Sequence, residues 1–171
     1  MSKKVLHVID SLTPGGAERV ALELVNALAE DGHPVALCAT RDGLGLVPEL
    51  SPAVDMFPLQ RKRTWDLGAI RRLTRTIREH DVQILHAHGR SSTKFCALVK
   101  LLSGRQVGLL FHDHYGEIDI DAEAEPSLKA ACRLVDRYVA VDPELAEWAV
   151  EVLGVAADLV SVIGNSIDLR R

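Results

Sequence analysis

The chain has 171 residues, 47% hydrophobic and 26% charged, with 20 Lys+Arg against 24 Asp+Glu. That length fits one domain, the apolar fraction rules out a disordered chain, and a net charge of −4 argues against a nucleic-acid footprint. No apolar run approaches the ~20 residues of a membrane span, and the N-terminal one stops at Asp10, too short for a secretion signal. Cys38, Cys96 and Cys132 are scattered, so neither a disulfide framework nor a Cys-x-x-Cys site is expected. A soluble, cytoplasmic protein is implied.

Short apolar strands alternate with amphipathic helices along the whole chain. Val5-Leu6-His7-Val8-Ile9 is a continuous apolar run, the mark of a strand covered on both faces. Ala21, Leu24, Val25 and Leu28 then form one helix face, which Gly32 and Pro34 terminate. Residues 35–39 are the second strand and 54–59 a short third one, weakened by Pro58. Asp66 caps a second helix with a core stripe of Ile70, Leu73 and Ile77. Strand four spans 82–86, and Phe95, Leu98, Val99 and Leu102 stripe the helix that follows, ending at Gly104. Strand five spans 107–111, helix four carries Leu128, Ala131, Cys132 and Val135, and strand six spans 138–141. Asp142-Pro143-Glu144 reads as a cap, a proline at the first helical position and a first-turn acid, and residues 159–163 close the pattern.

This order predicts an α/β fold: a doubly wound, Rossmann-like parallel sheet of about seven strands with helices on both faces. Residues 1–171 form a single domain in this reading. The chain stops just after a strand, at Asp168-Leu169-Arg170-Arg171, the pattern of a domain taken from a longer protein.

Ligands of such sheets sit outside the carboxyl ends of the strands, so the segments following each strand carry the candidate chemistry. After the first strand, Gly15 and Gly16 allow close backbone approach, and the helix start behind them presents free N–H groups suited to phosphate. A tight turn with a glycine cap and no ligand accounts for the same residues equally well. The loop is neither G-x-G-x-x-G nor a P-loop. The fourth strand ends His86-Ala87-His88-Gly89-Arg90 and the fifth Phe111-His112-Asp113-His114, so each aims two imidazoles one way. With Asp10 or Asp113 the histidines invite a metal-dependent hydrolase that activates water. Alternatively, neutral imidazoles and Arg90 orient hydroxyls and anionic groups of a ligand. His86 reads as a packed core residue, whereas His88 and His112 lie at the mouth of the site.

Asp113, Glu117, Asp119, Asp121, Glu123 and Glu125 form an acidic stretch without EF-hand spacing, best read as a solvated, mobile loop. Arg61-Lys62-Arg63 precedes a helix carrying Arg71, Arg72, Arg75 and Arg78 away from its apolar stripe. Such a basic amphipathic helix suits an anionic membrane surface or an acidic partner, although a solvated helix face explains it as well.

Four segments together resemble the N-terminal domain of retaining, GT-B-fold glycosyltransferases of the family-4-like group. They are the first strand with Gly15-Gly16-Ala17-Glu18, Ile84-Leu85-His86-Ala87-His88, Phe111-His112-Asp113, and Val162-Ile163-Gly164-Asn165-Ser166-Ile167-Asp168. Ser166 departs from the glycine usual in the last of these. The resemblance implies a hexosyl-type transferase in which this domain holds a hydroxyl acceptor and a separate, here missing, C-terminal domain holds the nucleotide-sugar donor. It places Gly15 and Gly16 near the donor phosphates, His112 near the reacting sugar as the catalytic residue, and His88, Arg90 and Asn165 at the binding surface. It implies no metal and no cofactor, an acceptor that is lipid-linked or a cell-envelope glycan, and peripheral contact with the inner face of the cell membrane through Arg71, Arg72, Arg75 and Arg78. The isolated chain is expected to be inactive, either as half of a two-domain enzyme or as a subunit completed by a separate donor-binding chain.

Overall fold

The structure is a computed structural model that describes residues 2–63, 65–104, 106–115 and 123–165. Seven parallel strands form one sheet: β1 (Val5–Ile9), β2 (Val35–Ala39), β3 (Asp55–Pro58), β4 (Ile84–His88), β5 (Gly108–Asp113), β6 (Arg137–Ala140) and β7 (Val160–Val162). Their spatial order is β3-β2-β1-β4-β5-β6-β7, all pairs parallel, so the order reverses between β1 and β4. Among the described residues five helices connect them: α1 (Gly16–Glu30), α2 (Leu67–Glu79), α3 (Arg90–Leu102), α4 (Pro126–Cys132) and α5 (Pro143–Glu151). Between β2 and β3 there is only a turn of 3-10 helix, Val47–Glu49.

The two faces of the sheet are covered unequally. Leu6, Val8, Leu85, Ala87, Leu109 and Phe111 pack against the apolar stripes of α2, α3, α4 and α5. Val35, Leu37 and Ile9, on the opposite face, pack against Ala21, Leu22 and Val25 of α1 and against Leu46 and Val54. Both predicted caps form. The Asp66 carboxylate accepts from the Ala69 N–H at 2.9 Å and that of Asp142 from the Leu145 N–H at 2.8 Å.

Strands four and five differ in their limits from the sequence reading. The backbone N–H of Val82 is engaged by the Ile77 carbonyl at the end of α2, so pairing begins at Ile84, opposite Val5. The register then carries β4 to His88 and β5 to Asp113, with His88 opposite His112. His88 and His112 therefore stand inside the strand ends, 3% and 5% exposed, and not in the loops at the mouth. Helix four also stops at Cys132, three residues short of Val135, which the turn behind it buries.

Candidate functional site

A parallel register puts residues that face each other across two strands on the same side of the sheet. His7 pairs with His86 and His88 with His112, so the imidazoles of β1, β4 and β5 all project from the α1 face. They are joined by His114, just past the end of β5, into a cluster of five rings. Nδ1 of His7 lies 3.0 Å from Nε2 of His88, and Nδ1 of His88 lies 3.1 Å from Nε2 of His114. A second link joins Nε2 of His86 to Nδ1 of His112 at 3.3 Å. Successive rings are stacked or tilted, with centroids from 4.1 Å apart for His112–His114 to 5.4 Å for His86–His112.

A neutral imidazole has one N–H and one lone pair, so each such link needs one ring to donate and the next to accept. The surroundings keep the rings neutral. Burial drives His7 and His112 from the ordinary 6.5 down to about 3, each helped by a neighbouring imidazole, and His114 to about 4. Burial, and the repulsion that neighbouring imidazoles would exert if protonated together, also hold His86 and His88 well below 6.5. Asn165, on the exposed segment after β7, adjoins His114 and opposes the fall in its pKa.

Asp10, directly after β1, organises the other half of the site. Its carboxylate accepts from Thr40 Oγ1 at 2.9 Å, Arg61 Nη2 at 2.7 Å and Ser92 Oγ at 3.1 Å, with Arg41 Nε 3.4 Å away. Burial alone would raise this carboxyl, but a serine hydroxyl of α3, Arg61, Thr40 and Arg41 together hold it below its usual value. The Arg61 side chain is wholly buried, lies over the Phe95 ring and donates to Ser91 Oγ at 3.0 Å. Arg61 thus belongs to the core of the site, whereas the sequence grouped it with a basic surface run.

Asp113 faces the other way, as strand alternation requires. Its Oδ2 accepts from Tyr138 Oη at 2.9 Å and its Oδ1 from the Tyr115 N–H at 3.1 Å, with Arg90 Nε 3.5 Å from Oδ2. Burial nevertheless pushes its pKa up. Arg90 is held between the rings of Tyr115, 3.7 Å from its guanidinium carbon, and Trp148, 4.6 Å away. Both carboxylates that a metal hydrolase would use as base are thereby committed to arginine and hydroxyl partners.

The predicted glycine loop leads into α1 as expected. Gly15 is the N-cap in extended conformation with no side-chain cap bond, and a Cβ on Gly16 would meet nothing within 4 Å. A Cβ on Gly15 would instead meet the Glu18 carboxylate, so at the first turn of this fifteen-residue helix, beside the reversal of strand order, a side-chain anion already stands where the dipole favours one. Arg71, Arg72, Arg75 and Arg78 are exposed on α2, away from the histidines. Arg72 donates to the Leu59 carbonyl at 2.7 Å, Arg78 to the Ser103 carbonyl at 2.9 Å, and Arg75 pairs with Glu79 at 2.7 Å. Beside them a groove of about 480 Å³ is lined by Leu67, Ile70, Arg71, Thr74 and Leu102, among others. Of the acidic stretch, Asp113 is buried and Glu125 pairs with Lys94 at 2.6 Å; Glu117, Asp119 and Asp121 lie outside the described residues, as do Ser166, Ile167 and Asp168.

His7 and Arg61 are the site residues that sequence reasoning missed; Asp10 is a ligand candidate already in the sequence, and the structure gives it Arg61 as its partner. His7 is hidden inside an apolar run, and only its register opposite His86 reveals it.

The profile of Glycosyltransferase Family 4 matches residues 14–171. The chain is 27% identical over 169 residues to a phosphatidyl-myo-inositol mannosyltransferase of Propionibacterium freudenreichii subsp. shermanii, covering 91% of this chain and 44% of that protein. Its fold matches that of HepE from Anabaena, solved in complex with UDP and glucose, with a TM-score of 0.72 at 19% identity over 97% of this chain and 45% of the other. It likewise matches the lipopolysaccharide outer core galactosyltransferase WaaB in its apo form, with a TM-score of 0.75 at 14% identity over 98% and 47% of the two chains. The chain thus spans a little under half the length of these relatives.

Proposed function

The chain belongs to Glycosyltransferase Family 4, and from that premise we propose that it is the acceptor-side domain of a transferase that moves a hexosyl group from a nucleotide sugar with retention of configuration. The observation that carries this reading is the convergence of two features at the reversal of strand order. The glycine start of α1 at Gly15 and Gly16 suits the donor phosphates once the Glu18 carboxylate turns aside. Nε2 of His112, a ring nitrogen left unpaired among the described residues, suits a hydroxyl of the reacting sugar, with His88 linked to His7 and His114 behind it. A neutral imidazole accepts or donates a hydrogen bond without bringing a charge that would repel or neutralise its neighbours, so His112 orients hydroxyls as the sugar–phosphate bond breaks. Helix-terminal N–H groups stabilise the charge building on the departing phosphate. The transfer itself needs no resident metal in this reading.

Donor contacts come from a second domain facing this one across a cleft, either later in the same polypeptide or on a partner subunit. Asn165 lies where the chain would lead towards that cleft and would contribute from the rim. Arg90, clamped between Tyr115 and Trp148, supports Asp113 and positions the β5 end. The acceptor is a hydroxyl on a lipid-linked or cell-envelope molecule, with α2 resting on the anionic inner surface of the membrane. Exposed Leu67 and Leu102 beside the arginine groove support that contact. Among the described residues no helix is long and apolar enough to cross a membrane.

The test is nucleotide release from UDP- and GDP-hexoses, measured on the chain alone and on the chain fused to the C-terminal half of a family member. Activity is expected only in the fusion, and His112→Ala should remove most of it. Ordinary enzymatic turnover by the isolated chain would sink the half-site reading.

A further inference from the structure

We propose that His88, His112 and His114 form a binding site for one divalent transition-metal ion, Zn²⁺ or a first-row neighbour, at the carboxyl ends of β4 and β5. The site is additional to the sugar-transfer reading and does not depend on it.

Each of the three residues offers a ring nitrogen, and the three nitrogens lie within 4.8 Å of one another. Tetrahedral Zn²⁺ with nitrogen ligands at ~2.0–2.1 Å sets those ligands about 3.3 Å apart. His88 Nδ1 and His114 Nε2 already stand at 3.1 Å, and His112 offers the third nitrogen within the 4.8 Å span of the group. The free atom on His112 is the right one. Its Nε2 is buried without a hydrogen-bond partner among the described residues, while its Nδ1 is taken by His86. A metal–nitrogen bond would satisfy this orphaned atom.

The remaining contacts match what a histidine metal site needs behind its ligands. A ligating imidazole is normally oriented by a partner on its other ring nitrogen. Here His88 Nε2 faces His7 Nδ1 at 3.0 Å and His112 Nδ1 faces His86 Nε2 at 3.3 Å. His7 and His86 are thus the outer partners and His88 and His112 the inner ligands, held on two strands in fixed register. The alternative triad of His7, His86 and His88 is buried throughout, whereas His114 is only half-buried and gives an ion a way in. Three imidazoles with no free carboxylate select Zn²⁺, Co²⁺, Ni²⁺ or Cu²⁺ over Mg²⁺, Ca²⁺ and Mn²⁺. The fourth position is left to water or to an anionic group. Because the ion would occupy the lone pair of His112, Zn²⁺ would antagonise any role of that imidazole in hydrogen bonding.

Isothermal titration of the purified chain with ZnCl₂ at neutral pH tests the site. One Zn²⁺ per chain is expected. Removing an outer partner of a metal site weakens binding ~10–100-fold, so removing a ligand by His112→Gln or His114→Gln should weaken it at least about tenfold. His33→Gln, at an exposed histidine far from the cluster, should leave binding unchanged. Co²⁺ absorption of the unmutated chain gives a readout that needs no variant to fold: a visible ligand-field band without thiolate charge transfer, undiminished by excess Mg²⁺. No saturable Zn²⁺ binding, binding indifferent to both variants, or a thiolate band assigning the ion to a cysteine would each overturn the proposal.

Discussion

His7 and His88 are 81 positions apart in the chain, yet Nδ1 of the first lies 3.0 Å from Nε2 of the second across the β1–β4 pair. Both rings are buried, and both also adjoin His86, which His88 stacks on and His7 meets at a tilt. A protonated imidazole has no lone pair, so a proton added to either ring leaves one fewer acceptor in the chain of links and a charge with little water to solvate it.

The cluster therefore makes stability depend on pH. Unfolded, these histidines titrate near the ordinary 6.5; folded, His7 and His112 do so only at about 3 and His114 at about 4. Above 6.5 both states are neutral and nothing is lost. As pH falls below 6.5 the unfolded chain takes up protons that the folded chain refuses, and stability drops progressively towards the folded values. At about one unit below 6.5 each such histidine costs roughly 1.4 kcal/mol. Urea unfolding at two pH values either side of this range should show the loss, and a flat profile would refute the burial of the cluster.

Asp10→Ala leaves the Arg61 guanidinium buried without its counter-charge. Removing one partner of a buried pair is strongly destabilising, here by about 3 kcal/mol, since Arg61 is enclosed while Asp10 is partly exposed. The double variant Asp10→Ala/Arg61→Met should recover part of that loss. Denaturant midpoints of the three proteins check both statements, and a single-variant cost under about 1 kcal/mol would mean the pair is not held as described.

Gly16→Asp puts a carboxylate into the first turn of α1, where a Cβ meets nothing. The helix dipole should make this substitution stabilising by about 0.3–1 kcal/mol, while the new charge competes with any anion bound there. Thermal melts with and without pyrophosphate measure both effects. A variant that is more stable yet equally responsive to pyrophosphate would remove the anion site from α1.

Replacing Arg71, Arg72, Arg75 and Arg78 by Ser should reduce sedimentation with anionic vesicles by two orders of magnitude or more, since each cation near such a surface contributes roughly 1 kcal/mol. Some stability is lost with them, because Arg72 and Arg78 donate to the Leu59 and Ser103 carbonyls. Folded variant protein that still sediments like the parent would end the membrane reading.

The strand and helix order could be read from the chain because each element carries its own local signal. The Asp66 and Asp142 caps and the Ile70, Leu73, Ile77 stripe formed where spacing put them. What depends on register could not be read locally. The limits of β4 and β5 follow from their pairing with distant strands, and a two-residue shift moved His88 and His112 from loop to strand. His7 and Arg61 were misjudged for the same reason: the first looks like core and the second like surface until β1, β2 and β4 are side by side.

The placement of β1 inside the sheet, next to its central strand β4, also bears on how the molecule is made. Its two neighbours are β2, which follows it closely, and β4, which leaves a ribosome only after α2 has been synthesised. Until then one edge of this interior strand has no partner, and the sheet cannot be completed. Contacts so distant in sequence carry a loop-closure cost before they repay it, so a nascent chain ending before Ile84 is held as an open β1–β2–β3 piece, exposed to chaperones and proteases.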